Sequence, residues 1–359
     1  MARILYGVHG TGHGHAIRAL TIARAFPEHQ FLFLSDGTGA ALLAREFPVV
    51  RCPNPETPVR GHRVVATGTL ASILKILSQY RPLLRQVLDL IRRFRPQVTL
   101  SDYEFFLPRA ARRAGLPCLS LDNQHIIVGC AHPVPVRQLP SYAITDLAVR
   151  CLFSAASDYL VTSFFRPPTK PGAKVRLLPP LLRDRVLKHR SREGEHVVAY
   201  QGYPTFKNFI PFLAAIGRPV HLYGFGGPRR EGNLRFCEYS EAGFLADLAS
   251  CRYVICGGGH CLISEALFYG KPVLSFPVRH AFEQFLNAFY LARLGYGQYC
   301  TSLAPRPGLI PAFEARLEDF RCRLSQGRFH GNPEILALVA RFIAEGRLPS
   351  SGQALEAGL

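Results

Sequence analysis

No tryptophan occurs in this chain, methionine occurs once, and no stretch approaches the run of about 20 apolar residues that spanning a bilayer needs. The opening MARILYGVHG enters a strand-like run at once instead of offering a signal peptide, so a cytoplasmic protein is expected. No CxxC pair is present either. The ten cysteines are scattered, and their closest series, Cys251, Cys256 and Cys261, has a spacing that suits neither a zinc ribbon nor a redox pair, which leaves reduced, mostly buried thiols. Low-complexity tracts are missing, so disorder is excluded as the dominant state.

What is present is a chain of 359 residues, 48% hydrophobic and 19% charged, with a mean hydropathy of +0.08. That length exceeds what one core usually supports, and two α/β domains are expected. Apolar runs of strand length alternate with helical patterns: ARILYGV, a helix over 16–25, FLFLS, a helix over 39–46, VVRC. A long helical segment over 71–94 precedes PQVTLSD, and further strands are expected at LPCLSLDNQ and DYLVTS. This βαβ rhythm signifies a parallel, doubly wound sheet.

Between 166 and 196 the pattern breaks into a Pro-rich, basic stretch, after which the rhythm restarts at HVVAYQG with helices expected over 206–216, 241–250, 261–269 and 283–294. The expected division is a first domain over 1–175, a linker over 176–195 and a second domain over 196–330. A helix within 331–348 would cross back to the first domain, and 349–359 would form a tail.

Charge is spread unevenly. Residues 1–190 hold 26 Lys+Arg against 11 Asp+Glu, whereas the remainder holds 17 against 14. A basic first domain implies attraction to something anionic, whether a lipid headgroup, a nucleic acid or an acidic small molecule. The stretch 60–113 concentrates 11 of these cations around ILKILSQYRPLLRQVLDLIRRF, a basic amphipathic pattern suited to an anionic leaflet, although its Leu and Ile residues could equally face the domain's own core.

The strongest local signal is CGGGHCLISEALFYGKPVLSFPVRHAFEQFLNAFYLARLGYG, residues 256–297. A strand runs into Gly257, Gly258 and Gly259 and a helix starts behind them, so free backbone N–H groups converge where a diphosphate could lie. Glycine avoids a side chain that would block that approach. Glu265, about one turn along the helix, is placed for a ribose diol, His260 and Ser264 for phosphate oxygens, and Glu283 with Gln284 for sugar hydroxyls.

This block resembles the nucleotide-sugar signature of the GT-B glycosyltransferases, especially the UDP-glycosyltransferases and MurG-like enzymes. Their Gly-rich turn, Glu, G-x-P, acidic-Gln pair and Asn-Ala appear in the same order as Gly258-Gly259, Glu265, Gly270-Lys271-Pro272, Glu283-Gln284 and Asn287-Ala288. The chain looks most like a poorly characterised bacterial and archaeal subfamily that adds an N-terminal G-x-G-H-x-x-R, found here from Gly12 to Arg18. The resemblance implies a GT-B fold, with two Rossmann-like lobes facing across a cleft, and an inverting, metal-independent transfer from a UDP-sugar co-substrate with no cofactor. The absence of Asp-x-Asp agrees with the expectation of no metal; Asp102-Tyr103-Glu104 is the nearest approach to that motif.

On this resemblance His15 is the candidate base with His13 as rival, and Asp102 is its partner with Glu104 as the alternative. Gly12 joins the donor side, and Phe244 is expected to abut the nucleobase. Arg18, His13, Glu104 and the LDNQH residues Asn123, Gln124 and His125 are assigned to the acceptor side, the last three being equally able to cap a helix. Two departures matter. Gly257, Gly259, His260, Cys261 and Leu262 stand where plant-type enzymes carry His-x-Gly-Trp-Asn-Ser, so phosphate contacts would rest on backbone groups, and Glu283-Gln284 replaces Asp-Gln, leaving the sugar open. Three readings follow: a peripheral membrane transferase acting on a lipid or lipid-linked acceptor at the inner face of the cell membrane; a transferase acting on a soluble small molecule or nucleic acid; and a sugar-nucleotide epimerase or binding protein of the same architecture.

Overall fold

A computed structural model describes residues 1–202, 206 and 208–349. Two seven-stranded sheets organise it. The first runs, in spatial order, Val49–Arg51, Gln30–Ser35, Arg3–Val8, Val98–Asp102, Cys118–Asp122, Asp158–Thr162 and Val175–Leu178, every pair parallel. The second runs Arg229–Glu231, Leu234–Cys237, Val220–Tyr223, Val197–Tyr200, Tyr253–Cys256, Val273–Ser275 and Gly297–Tyr299; it is parallel except at its first pair. Central strands such as Val98–Asp102 and Tyr253–Cys256 are buried throughout, because helices cover both faces of each sheet.

Helices fall close to the sequence periodicity: His13–Ala25, Glu241–Ser250, His260–Phe268 and Phe282–Arg293. The helical segment expected over 71–94 is two helices, Ala66–Ser78 and Tyr80–Phe94, meeting at Gln79. Pro82 explains the break: in a continuous helix its ring would collide with the Ser78 carbonyl, whereas in the first turn of a new helix its missing N–H costs nothing.

The expected linker over 176–195 also begins differently. Val175–Leu178 completes the first sheet, and chain crossing starts only at Pro179 and Pro180. Helix Asn332–Glu345 returns to the first lobe, setting Ile335, Val339, Phe342 and Ile343 into the core with Ile4, Tyr6 and Ile22. Asn332 pins its start by exchanging both hydrogen bonds with the backbone of Leu182, at 2.9 and 2.7 Å. Of the expected tail, 350–359 lie outside the described residues, as does Lys207 within the expected helix over 206–216.

The lobes share a core. Ile126, Val161, Phe164 and Phe165 of the first pack with Ile263, Leu267, Phe282 and Tyr290 of the second, and Phe165 stacks on Tyr290 at 4.1 Å. A short hairpin, Val59–Arg60 with Arg63–Val64, reaches across and pairs with the second lobe through Val64 N–H to Arg279 O and Arg279 N–H to His62 O, both 3.0 Å. These contacts hold the ends of the two sheets against each other, where the glycine-rich turns lie. All ten cysteines are free thiols, five of them buried.

Candidate functional site

On the first lobe the site begins where strand Arg3–Val8 runs into His9–Gly12. A Cβ at Gly10 would lie 2.4 Å from the Asp36 carbonyl oxygen, so only glycine lets this turn pass, and Gly12 bends the chain at φ 78° into the helix. His15 and Arg18 are one turn apart on that helix and share a face. Strand Val98–Asp102 pairs with Arg3–Val8, placing Asp102 opposite Val8 beneath the turn.

The three side chains converge. His15 Nδ1 lies 2.6 Å from Asp102 Oδ1, while Arg18 donates to Oδ2 through Nε and to Oδ1 through Nη2, each at 2.7 Å. Asp102 is fully buried and Arg18 nearly so. Burial opposes the charge of Arg18, but Asp102 outweighs it and holds the guanidinium more firmly protonated than usual. Tyr103, at φ 53°, lies parallel to the His15 ring and stacks on Phe153 at 3.8 Å. His9 meets His15 edge-on, and burial pushes its pKa down to about 3, so it is neutral. His13, the rival base, is exposed and stacks instead with Tyr239 of the second lobe.

On the second lobe Gly258 and Gly259 are glycine for different physical reasons. At Gly258 a Cβ would meet the backbone of Gln284 at 2.4 Å, so this glycine serves close packing between the turn and helix Phe282–Arg293. The Gln284 side chain accepts from Gly258 N–H at 3.3 Å and Val278 N–H at 3.0 Å, and Asn287 donates to Gly258 O at 2.9 Å. Gln284 and Asn287 thus brace the loop, where the sequence suggested that Gln284 meets sugar hydroxyls. Gly259, by contrast, faces open space at the start of helix His260–Phe268, as Gly12 does at the start of His13–Ala25.

These two helix starts face each other. Cys261 Sγ approaches Gly14 O at 3.7 Å and Arg18 Nη1 at 4.0 Å. The positive ends of two helices from opposite lobes therefore converge beside the His15–Asp102–Arg18 cluster, an arrangement that favours an anion.

Other expected residues sit elsewhere than their assigned roles require. Glu104 is fully buried and accepts from Phe106 N–H at 2.9 Å and Leu107 N–H at 2.5 Å, capping helix Leu107–Arg113. Burial pushes its pKa up to about 7, and it makes no contact with His15, so neither an acceptor role nor the alternative partnership fits. His125 is buried and closed off, with Nδ1 2.7 Å from Asp122 and Nε2 3.2 Å from Ser154. Burial alone would raise Asp122, but His125 outweighs it and holds this carboxyl at about 2. Phe244 lies in the second-lobe core, edge-on to Tyr223. His260 and Ser264 point inward and pair at 3.4 Å. Glu265 has both oxygens engaged by Arg183, at 2.7 and 2.6 Å.

Asn123 and Gln124 reach across the cleft, donating to the two carboxylate oxygens of Glu283 at 3.0 and 3.1 Å. Sequence reasoning missed Asp122 and Arg183. Asp122 stands within LDNQH three residues before His125, a spacing that favours local pairing, whereas Arg183 lies in the connecting stretch with no pattern to mark it.

A second polar cluster, His196, His221 and Asp247, is the one group among the described residues with ligand atoms close enough for a metal ion. Its hydrogen bonds are already satisfied: Asp247 takes His221 at 2.8 Å and Tyr223 at 2.6 Å. His196 stands at the opposite end of its strand from the cleft.

Over residues 2–317 the chain matches the family described as glycosyl transferase family 1. An uncharacterized glycosyltransferase of Methanosarcina acetivorans is 25% identical over 381 residues, covering 96% of each chain. Among solved structures, Acinetobacter baumannii MurG superposes with a TM-score of 0.60 at 15% identity, over 95% of this chain and all of that one. The Streptomyces sp. SF2575 glycosyltransferase SsfS6, complexed with thymidine diphosphate, gives 0.61 at 15% identity over the same shares. Both share the GT-B fold of two Rossmann-like lobes. With the family matched over most of its length, the chain belongs to glycosyl transferase family 1 and is a glycosyltransferase.

Proposed function

We propose that this enzyme transfers a sugar, with inversion and without a metal or other cofactor, from a nucleoside diphosphate sugar to a hydroxyl acceptor. UDP is the preferred nucleotide on the resemblance of residues 256–297. The observation that carries the reading is the meeting of two helix N-termini beside His15 and Asp102. SsfS6, of like fold, was solved with thymidine diphosphate, which supports a diphosphate in this cleft.

In this mechanism Asp102 takes the Nδ1 proton of His15 as a hydrogen bond and leaves Nε2 as the base. Nε2 removes the acceptor hydroxyl proton as that oxygen attacks the anomeric carbon, and the bond from that carbon to the diphosphate oxygen breaks on the far side. The departing negative charge is received by the free N–H groups at the start of helix His260–Phe268. Arg18 holds Asp102 in orientation through its two hydrogen bonds.

A membrane-surface acceptor is favoured by helix Ala66–Ser78. Only Ile76 is buried there, while Leu70, Leu74 and Leu77 are exposed on one face beside Lys75. The following helix, Tyr80–Phe94, turns Leu84, Val87 and Ile91 into the core instead. No helix among the described residues is long and apolar enough to cross a membrane. Tyr239, the one aromatic among the large apolar side chains exposed in the described residues, lies on the second lobe, so the basic lobe offers little for stacking bases of a nucleic acid.

The test is thermal stabilisation by UDP, dTDP and their sugars, since a ligand at about 100 times its dissociation constant adds about 2.7 kcal/mol. Nucleoside diphosphates should raise the melting temperature, and His15→Ala should keep that shift while losing transfer. No shift with any nucleotide would overturn the donor assignment.

A further inference from the structure

Glu283 opens helix Phe282–Arg293, which carries no side-chain cap, and its carboxylate points across the cleft. Its partners come from the other lobe. Asn123 and Gln124 follow strand Cys118–Asp122 directly, and each gives one amide N–H to a different oxygen of Glu283, at 3.0 and 3.1 Å. The amides are themselves held. Gln124 Oε1 accepts from the Asn123 N–H at 3.3 Å, which turns the Gln124 NH2 toward Glu283, and Asp122 with His125 anchors the loop beneath.

Both amide residues are buried, whereas Glu283 is half-buried and faces the space between the lobes. The neighbouring Gln284 is tied to Gly258 and Val278, so the carboxylate is braced from both lobes. An ionised carboxylate offers about four acceptor positions, and the amides occupy two. The other two remain for hydroxyl groups.

We propose that Asn123 and Gln124 are positioning residues for the donor sugar. By gripping both oxygens of Glu283 from the first lobe, they aim its free lone pairs at a pair of sugar hydroxyls and make sugar recognition by the second lobe depend on lobe closure. This rests on the donor reading above, and it separates the sugar from the nucleotide: a nucleotide without its sugar should not sense the clamp.

The experiment is calorimetric titration of the full-length protein with UDP, UDP-glucose and UDP-N-acetylglucosamine, reading the affinity ratio of sugar nucleotide to UDP for the sugar with the larger ratio. In Asn123→Ala/Gln124→Ala that ratio should fall about tenfold, as loss of charge-assisted hydrogen bonds predicts, with UDP affinity changed by less than about twofold. Asn123→Asp, which sets carboxylate against carboxylate, should lose at least as much. Glu283→Gln should lower the ratio as well, and in that background the two alanines should add nothing, a readout that survives if the double variant alone folds poorly. UDP binding with an unchanged or raised ratio would overturn the clamp alone. Absence of UDP binding to the wild type would overturn the donor reading and the clamp together.

Discussion

Replacing Asp102 by Asn keeps the shape of the side chain and removes its charge, and the geometry permits the consequences to be worked out. Asp102 accepts from three donors, His15 Nδ1, Arg18 Nε and Arg18 Nη2, and it is fully buried. An amide has one acceptor oxygen, so either orientation sets its NH2 against a donor of Arg18 or His15. It also leaves the buried Arg18 guanidinium without a counter-charge, a class of change that costs about 3–5 kcal/mol. At about 2.1 cal/mol/K per residue, cooperative unfolding of the chain would convert this into a fall of about 4–7 °C in Tm. The proposed mechanism adds a second effect. Without a carboxylate to hold the Nδ1 proton, His15 loses the tautomer and orientation that make Nε2 a base, worth about 10²–10⁴ in kcat.

Calorimetry and a donor-consumption assay would be run on Asp102→Asn beside His15→Ala. The His15 variant should lose comparable turnover with a Tm within about 2 °C of wild type, because its ring is only half-buried and its removal leaves the buried Arg18–Asp102 pair in place. An Asp102→Asn protein that melts with the wild type would refute the electrostatic argument. One that is destabilised yet turns over normally would refute the role assigned to Asp102 in catalysis.

The two glycines of the second-lobe turn should behave oppositely: Gly258→Ala drives a methyl into the Gln284 backbone and should destabilise by about 1–3 kcal/mol, measured by denaturant unfolding. Gly259→Ala enters open space, so it should leave stability unchanged and weaken UDP binding about tenfold by titration. Glu104 binds its proton more tightly folded, with a pKa near 7, than unfolded, so it contributes a loss of stability as pH rises from about 4.5 to 7, at most about 1.4 kcal/mol per pH unit. Urea unfolding of Glu104→Gln at pH 5 and pH 7.5 should show a smaller fall than wild type, and an equal fall would assign the slope elsewhere. Leu70→Glu/Leu74→Glu should reduce co-sedimentation with anionic phospholipid vesicles at least about tenfold, each buried leucine being worth about 1.5–3 kcal/mol, with nucleotide binding intact; unchanged sedimentation would count against the membrane-surface acceptor.

Much of the architecture was legible in the chain because strand and helix periods are local properties. The helix expected over 241–250 is observed at those residues, and the one expected over 261–269 begins one residue earlier. Apolar periodicity alone does not say where the helical segment over 71–94 divides; Pro82, a local signal, does, since it belongs in the first turn of the second helix. The convergence of His15 with Asp102 was also within reach, since each ends or follows a strand of one parallel sheet, and such ends share an edge.

By itself, then, the sequence determined the alternation of strands and helices, the glycine turns at their ends and the chemical types gathered near those turns. Tertiary structure alone decided which partner each polar group meets. Glu283 takes amides about 160 residues away, Glu265 takes Arg183 across 82 residues, and Gly258 answers to the backbone of Gln284. Glu104 and Asp102 are two residues apart on one strand end, yet one caps a helix and the other meets His15. The physical reason is that a hydrogen bond depends on a few ångströms of separation and on direction, which chain crossing between two lobes sets and no local pattern records.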